Sequence, residues 1–182
     1  YIDMALYDVM VAMLANMNMN YLTSGKAPGR AGNAHQNIVP YQVFAATDGH
    51  VVVAVGNDSQ FVKFCAVAGA PHLATDERYR RNADRVRNRE ILIGELETIV
   101  RAKPVAFWTE RLDAAGVPCG AINDIAHALA DPQVAARGLR VDLAHALAGQ
   151  VPMVASPIKM SATPPSYELP PPSSRRDFGI RI

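Results

Sequence analysis

Tyr41-Gln42-Val43-Phe44-Ala45-Ala46-Thr47-Asp48-Gly49-His50-Val51-Val52-Val53-Ala54-Val55 is the stretch on which the fold turns. Two apolar runs rich in β-branched and aromatic residues flank Asp48-Gly49, a dipeptide suited to the positive φ angles of a tight hairpin turn. Strands are expected over Tyr41 to Phe44 and Val51 to Val55. The second run is apolar at every position, so both of its faces are expected to be covered.

Downstream, Asp58 or Ser59 can cap a helix that turns Phe61, Phe64, Cys65 and Ala68 to one side and stops at Gly69 and Pro71. Residues 75 to 90 hold six Arg against four acids and read as a solvated helix or loop face. A helix with Leu92, Leu96, Ile99 and Val100 inward follows. Pro104 suits the first turn of another, carrying Phe107, Trp108 and Leu112 and ending at Gly116. Val117-Pro118-Cys119-Gly120 reads as a short extended crossing. Asn123 or Asp124 starts a short helix, and Asp131-Pro132 restarts it with a cap and a proline at the first position. Leu139 to Leu143 and Val151 to Val154 can pair as a second hairpin. From Ser161 the chain is rich in Pro and Ser, and no regular structure is expected.

Upstream, Leu6, Val9, Met10, Met13, Met17 and Tyr21 recur at helical spacing, so one helix is expected over residues 4 to 23. Its apolar face is rich in Met, a side chain that fits irregular packing. The fold class is therefore α+β: a small antiparallel sheet with several helices, flanked by extensions that lack cores of their own.

The 182 residues are 49% hydrophobic and 19% charged, with a formal net charge of +1. This is ordinary globular composition, with neither the basic surface of a nucleic-acid binder nor the acidic excess of a disordered chain. The longest apolar-rich stretch, Met4 to Leu22, is interrupted by Asp8, Asn16, Asn18 and Asn20, so no membrane span is expected. Cys65 and Cys119 lie far apart, and a reduced, cytoplasmic setting is the simplest reading. The chain opens Tyr1-Ile2-Asp3 inside a helix pattern, as if cut from an internal point.

No nucleophile elbow, phosphate loop or His-Glu-x-x-His helix occurs in the sequence. His35, His50, His72, His127 and His145 show no metal-ligand spacing, and no metal is expected. The most suggestive stretch is Gly29 to Pro40. Its backbone can approach a ligand closely, Asn33, His35 and Asn37 offer neutral donors, and Arg30 can meet a phosphate or carboxylate. The alternative is a plain connector between helix and hairpin. Asn57 and Asp58 form a second candidate, where a strand turns into a helix N-terminus that favours anions; the alternative is that Asp58 only caps the helix. Cys119 reads as a buried, inert thiol.

Seven segments, in this order and at these distances, resemble one family. They are Ile2 to Asp8, Gly29 to Tyr41, Thr47 to Asn57, Asn82 to Arg89, Ala114 to Gly120, Asp131 to Gly138 and Ser156 to Lys159. Together they resemble the class III CoA-transferases, the formyl-CoA transferase and carnitine CoA-transferase (CaiB/BaiF-like) family, over most of the chain. The resemblance implies a homodimer whose chains interlock, each with a large Rossmann-like domain and a small α+β domain. Residues 1–27 would be the linker helix from the large domain, 28–105 the small domain, 106–130 the return linker and 131–182 a C-terminal segment of the large domain.

The resemblance also implies a chemistry: an Asp carboxylate attacks an acyl-CoA thioester, an anhydride and then an enzyme–CoA thioester form, and a second carboxylic acid collects the CoA. That Asp is expected upstream of Tyr1, so no catalytic residue is assigned here; Asp3 and Asp8 belong to the linker-helix motif. Coenzyme A, as acyl-CoA, is the implied substrate, and the chain alone is expected to be inactive. Substrate-facing residues are expected at Arg30, Asn33, His35, Asn37 and Asn57. Two departures stand out. The loop from Gly29 is not the run of glycines that covers the thioester in some relatives, and the tail from Pro171 to Ile182 differs from the family's usual ending. A racemase of 2-methylacyl-CoA thioesters shares the implied fold but carries a Glu near Asn57-Asp58, which tilts the reading toward a transferase. A non-catalytic interlocking module is the third reading.

Overall fold

The computed structural model describes residues 3–171; Tyr1, Ile2 and the altered tail from Pro172 onward lie outside the described residues. The chain forms two compact units, one through Ile122 and one from Asn123 on.

The first unit begins with α1 (Leu6–Met13) and α2 (Asn16–Ser24), where one helix was expected. The break falls at Ala15, whose φ of 44° lies outside the helical region. The N–H groups of Leu14 and Ala15 turn back to Val11 and Ala12, three residues earlier, and close the first helix with tight turns. The Asn18 side chain then donates to the Val11 carbonyl at 2.6 Å. Asn18 competes with the backbone in this way, while Asn16 and Asn20 turn to side chains of the 35–37 loop, which is why a methionine stripe alone does not make one continuous helix. Neither helix buries a residue.

The sheet consists of β1 (Tyr41–Ala45), β2 (His50–Ala54) and β3 (Cys119–Ala121), antiparallel throughout with β2 in the middle. Val43 faces Val52, and Val52 in turn faces Gly120. Period-two alternation sends Val51 and Val53 fully into the core, with Val55 beyond them. Val52 and Ala54, on the opposite face, are half-buried. The expected double coverage of β2 thus holds on one face only, because all the core-building helices pack on that side.

Those helices are α3 (Asp58–Val67), α4 (Pro71–Thr75), α5 (Asn82–Arg87), α6 (Arg89–Arg101) and α7 (Val105–Ala114). α3 buries Phe61, Phe64 and Cys65, α6 buries Leu92, Leu96 and Val100, and α7 buries Trp108 and Leu112. The spacing of three and four gives each helix one apolar face. Trp108 stacks against Phe64 with ring centroids 6.4 Å apart, and its indole N–H donates to the Val100 carbonyl at 2.9 Å. The first part of the segment expected as a return linker, α7 with β3, is thereby built into this core.

The second unit holds α8 (Ile125–Ala130), α9 (Pro132–Ala136) and the hairpin β4 (Arg140–His145) with β5 (Gly149–Val154), paired Arg140 to Val154 through His145 to Gly149. Asp124 and Asp131 cap the two helices through Oδ1, accepting from the His127 and Gln133 N–H groups. Ala155 is the buried hydrophobic residue of this unit among the described residues.

Candidate functional site

The Gly29–Pro40 loop leaves α2 and runs to the edge strand β1, whose outer N–H groups have no strand to meet. Asn33 fills part of that gap: its Oδ1 accepts the Val43 N–H at 3.0 Å. Gly32 sits at φ 60°, where a side chain would be strained, and lets the chain turn back toward β1.

His35 is held on three sides. Its backbone N–H donates to the Tyr41 carbonyl at 2.9 Å, and its ring stacks on Tyr41 with centroids 5.2 Å apart. Nδ1 accepts the Asn37 N–H at 3.1 Å. An acceptor Nδ1 leaves the ring proton on Nε2, and Nε2 lies 3.5 Å from the Asn16 Nδ2.

Asn37 exchanges two hydrogen bonds with Asn20 on α2: its Nδ2 donates to the Asn20 Oδ1 at 2.9 Å, and its Oδ1 accepts from the Asn20 Nδ2 at 3.2 Å. Asn20 also donates to the Gln36 side chain at 3.0 Å. Three of the four loop candidates, Asn33, His35 and Asn37, therefore lie together, and each spends at least one polar atom on the loop's own architecture. Arg30 does not. It is exposed, and no ion pair among the described residues includes it.

Asn57 stands at the start of α3 and caps it: its Oδ1 accepts the Gln60 N–H at 2.9 Å and the Ser59 hydroxyl at 2.7 Å. Gln60 answers by accepting the Gly56 N–H at 2.7 Å, a close variant of the reciprocal capping box. This corrects the expected cap at Asp58 or Ser59. Asn57, with β-region backbone and a side chain short enough to reach N3, wins the position.

Asp58 is freed for another partner, the guanidinium of Arg85, at 2.8 Å. Arg85 is fully buried. Its Nε donates to the Val39 carbonyl at 2.6 Å and its Nη1 to the Tyr79 carbonyl at 2.9 Å, while the guanidinium lies 4.4 Å over the Phe61 ring. The charged stretch at 75 to 90 is thus not a solvated face throughout. Asn82, Arg85 and Arg89 turn inward, at spacings of three and four that place them on one side of a helical path. That spacing is the signal by which sequence reading could have separated them from Arg78, Arg80, Arg81 and Arg87, which are exposed.

The two thiols are poor nucleophiles. Burial pushes Cys65 up to about 12, and burial followed by the nearby Asp113 carboxylate pushes Cys119 up. Cys119 is half-buried rather than buried. Among the described residues, no group of three or more His, Cys, Asp or Glu could hold a metal ion. No helix among them is long and apolar enough to cross a membrane.

The sequence model of CoA-transferase family III matches residues 1–177. A succinate–glutarate CoA-transferase from Agrobacterium fabrum is 47% identical over 177 residues, 94% of this chain and 43% of that protein. An acetyl-CoA:oxalate CoA-transferase from Acetobacter aceti is 38% identical over 93% of this chain and 42% of that protein. The crystal structure of a CaiB/BaiF family protein from Brucella suis superposes with a TM-score of 0.73 at 44% identity, covering 90% of this chain and 42% of that one. The chain spans less than half the length of the proteins it matches.

Proposed function

The chain belongs to CoA-transferase family III, and from that premise we propose that the complete protein moves CoA from an acyl-CoA thioester to a carboxylic acid. The observation that carries this reading is the family match over residues 1–177. The names of two relatives narrow the acceptor. Succinate, glutarate and oxalate are all dicarboxylates, so a short dicarboxylate is the acceptor proposed here.

In this reading the nucleophile is an aspartate upstream of Tyr1. Its carboxylate attacks the thioester carbonyl, the CoA thiolate leaves, and an acyl–aspartyl anhydride remains. The thiolate then attacks the aspartyl carbonyl, releasing the donor acid and leaving an enzyme–CoA thioester. The acceptor carboxylate displaces CoA to form a second anhydride. CoA attacks the acceptor's acyl carbon, which restores the aspartate. Together the steps divide one hard acyl transfer into easier ones.

This chain contributes the small-domain side of the cleft. Arg30 is exposed and unpaired among the described residues, so it can meet the free carboxylate of a dicarboxylate or a phosphate of CoA. The Nε2–H of His35 and the Asn33 amide N–H groups can face an oxyanion that develops at the thioester. The Asn57 oxygen is spent on its cap, and its amide N–H groups remain to offer. The exposed apolar side chains of α1 and α2, among them Leu6, Met10, Met13 and Leu22, support an assembly in which the rest of an interlocked homodimer covers them. Two cysteines that are not paired with each other, Cys65 and Cys119, fit a cytoplasmic setting.

Mass spectrometry of the complete protein, quenched in acid during turnover with succinyl-CoA, tests the mechanism. CoA linked to an aspartate upstream of Tyr1 is the expected adduct. Exchange of the α-proton of a 2-methylacyl-CoA with no adduct and no acceptor requirement would establish the racemase instead.

A further inference from the structure

Three side chains from one short stretch bond five backbone groups of the loop between His35 and Val39. Arg89 donates through Nη2 to the carbonyls of His35 at 2.9 Å and Gln36 at 2.6 Å. Asn82 donates through Nδ2 to the Asn37 carbonyl at 2.7 Å and accepts the Val39 N–H on Oδ1 at 3.1 Å. Arg85 donates through Nε to the Val39 carbonyl at 2.6 Å. Asp58 ties the set together, because its Oδ1 accepts both the Asn82 N–H at 2.9 Å and the Arg85 Nη2 at 2.8 Å.

A connector does not need this. Loops ordinarily hold their backbone polar groups in water and tolerate motion, and burying a guanidinium is costly unless its donors are satisfied. Helix stability does not account for Arg89 either. It opens α6, the end at which the helix dipole disfavours a cation. Arg89 is instead directed at two neutral carbonyls of the loop, and Arg85 adds a third bond to it through Nε, charge-assisted bonds stronger than those between neutral groups.

We propose that Asn82, Arg85 and Arg89 form a clamp that pre-organises the backbone of the 33–39 loop, making them positioning residues for CoA transfer in the complete enzyme. The inference rests on the reading that this loop faces the reacting thioester. The clamp grips the loop by its backbone and makes no bond to Arg30, to the His35 ring or to the Asn33 amide N–H groups. Donors fixed before the reaction need no reorganisation when charge develops, whereas a displacement of about 1 Å can cost on the order of a hundred-fold in rate.

Arg89→Ala in the complete enzyme is the test, since Arg89 is half-buried and the apolar core does not depend on it. Steady-state kinetics with succinyl-CoA and glutarate are read beside hydrogen exchange of the backbone amides. The expected result is a fall in kcat of about ten-fold or more, with KM values within about two-fold. Amides of Asn37, Val39 and Val43 should exchange faster while those of β2 do not change. Arg89→Lys, which keeps the charge on a shorter side chain without the planar guanidinium, should fall between the two, and it carries the test if the alanine variant folds poorly. Unchanged loop exchange overturns the clamp. Faster loop exchange with wild-type kcat overturns the positioning role and removes the loop from the site. A wild-type enzyme that transfers no CoA overturns the functional reading beneath the proposal, and the exchange data then still decide whether the clamp exists.

Discussion

Residues 39 to 117 and residues 125 to 155 are built from the same parts, short helices beside an antiparallel hairpin, and they come out differently. The first stretch buries seventeen hydrophobic residues in one cluster. The second buries Ala155. Its hairpin alternates as a half-buried strand pair should, with Val141, Leu143, Val151 and Met153 turned to one face, but α8 and α9 are one and a half turns each and supply no apolar stripe wide enough to close over it. A two-stranded hairpin is marginal by itself. Periodicity fixes what an element is. Whether the element has a core depends on a second layer, and within the first unit α3, α6 and α7 supply that layer to the sheet. α1 and α2 belong with the second stretch in this respect, since they form helices without burying a residue.

The comparison breaks if truncations in the two stretches cost the same. Trp108→Ala removes the largest buried side chain of the first core and leaves the Val100 carbonyl without its donor. It should lower unfolding stability by about 3–5 kcal/mol. Leu143→Ala on β4 should stay within about 1 kcal/mol. Urea unfolding of both variants decides it. Arg85→Met comes next. The Val39 and Tyr79 carbonyls lose their donor, whereas the Asp58 side chain, 53% exposed, can turn to water. A loss of about 2–3 kcal/mol follows from stranding buried acceptors, and the same urea titration reads it.

Arg30→Ala should leave stability unchanged and raise the KM for the substrate it meets by about ten-fold, because a charge pair made in the ground state acts on binding. Melting curves and steady-state kinetics on the complete enzyme check both halves. The smallest effect is one of pH. Asp76 is held below the ordinary aspartate range by the Arg78 side chain and backbone N–H, and Asp124 by the His127 backbone N–H and ring. Both folded values lie below the unfolded ones, so their stabilisation is full above the unfolded pKa and is lost as pH falls through the folded pKa. Asp124 is exposed and Asp76 half-buried, and solvent screens both. Local fraying at the Asp76 turn and at the start of α8, seen by NMR below about pH 4, is expected before any global change.

Much of the first stretch could be read in the sequence, because it is made of local signals. The Asp48-Gly49 turn, the apolar runs beside it, and the faces of α3, α6 and α7 all appear as periodicities of two or of three and four. The second hairpin was legible for the same reason. What could not be read depends on competition between partners. Asn57 took the cap expected of Asp58 or Ser59, and Asp58 was then drawn to an arginine twenty-seven positions away. In a stretch with six Arg, composition alone suggests a solvated face. Burial of Arg85 follows only once the loop at 35–39 and the ring of Phe61 are folded against it. The loop candidates were found as residues, but their occupations were not. Asn33, His35 and Asn37 spend polar atoms on the loop itself, and Arg30 alone among them remains unspent.

A fold with one core and coreless flanks fits the proposal that the chain supplies one wall of an acyl-CoA transferase cleft. The most direct test incubates succinyl-CoA with glutarate and follows glutaryl-CoA by mass spectrometry, with the complete protein and this 182-residue chain assayed side by side. The account predicts acceptor-dependent formation of glutaryl-CoA by the complete protein and none above the no-protein background by the chain alone. Transfer by the isolated chain, or none by the complete protein with any short dicarboxylate, would contradict it.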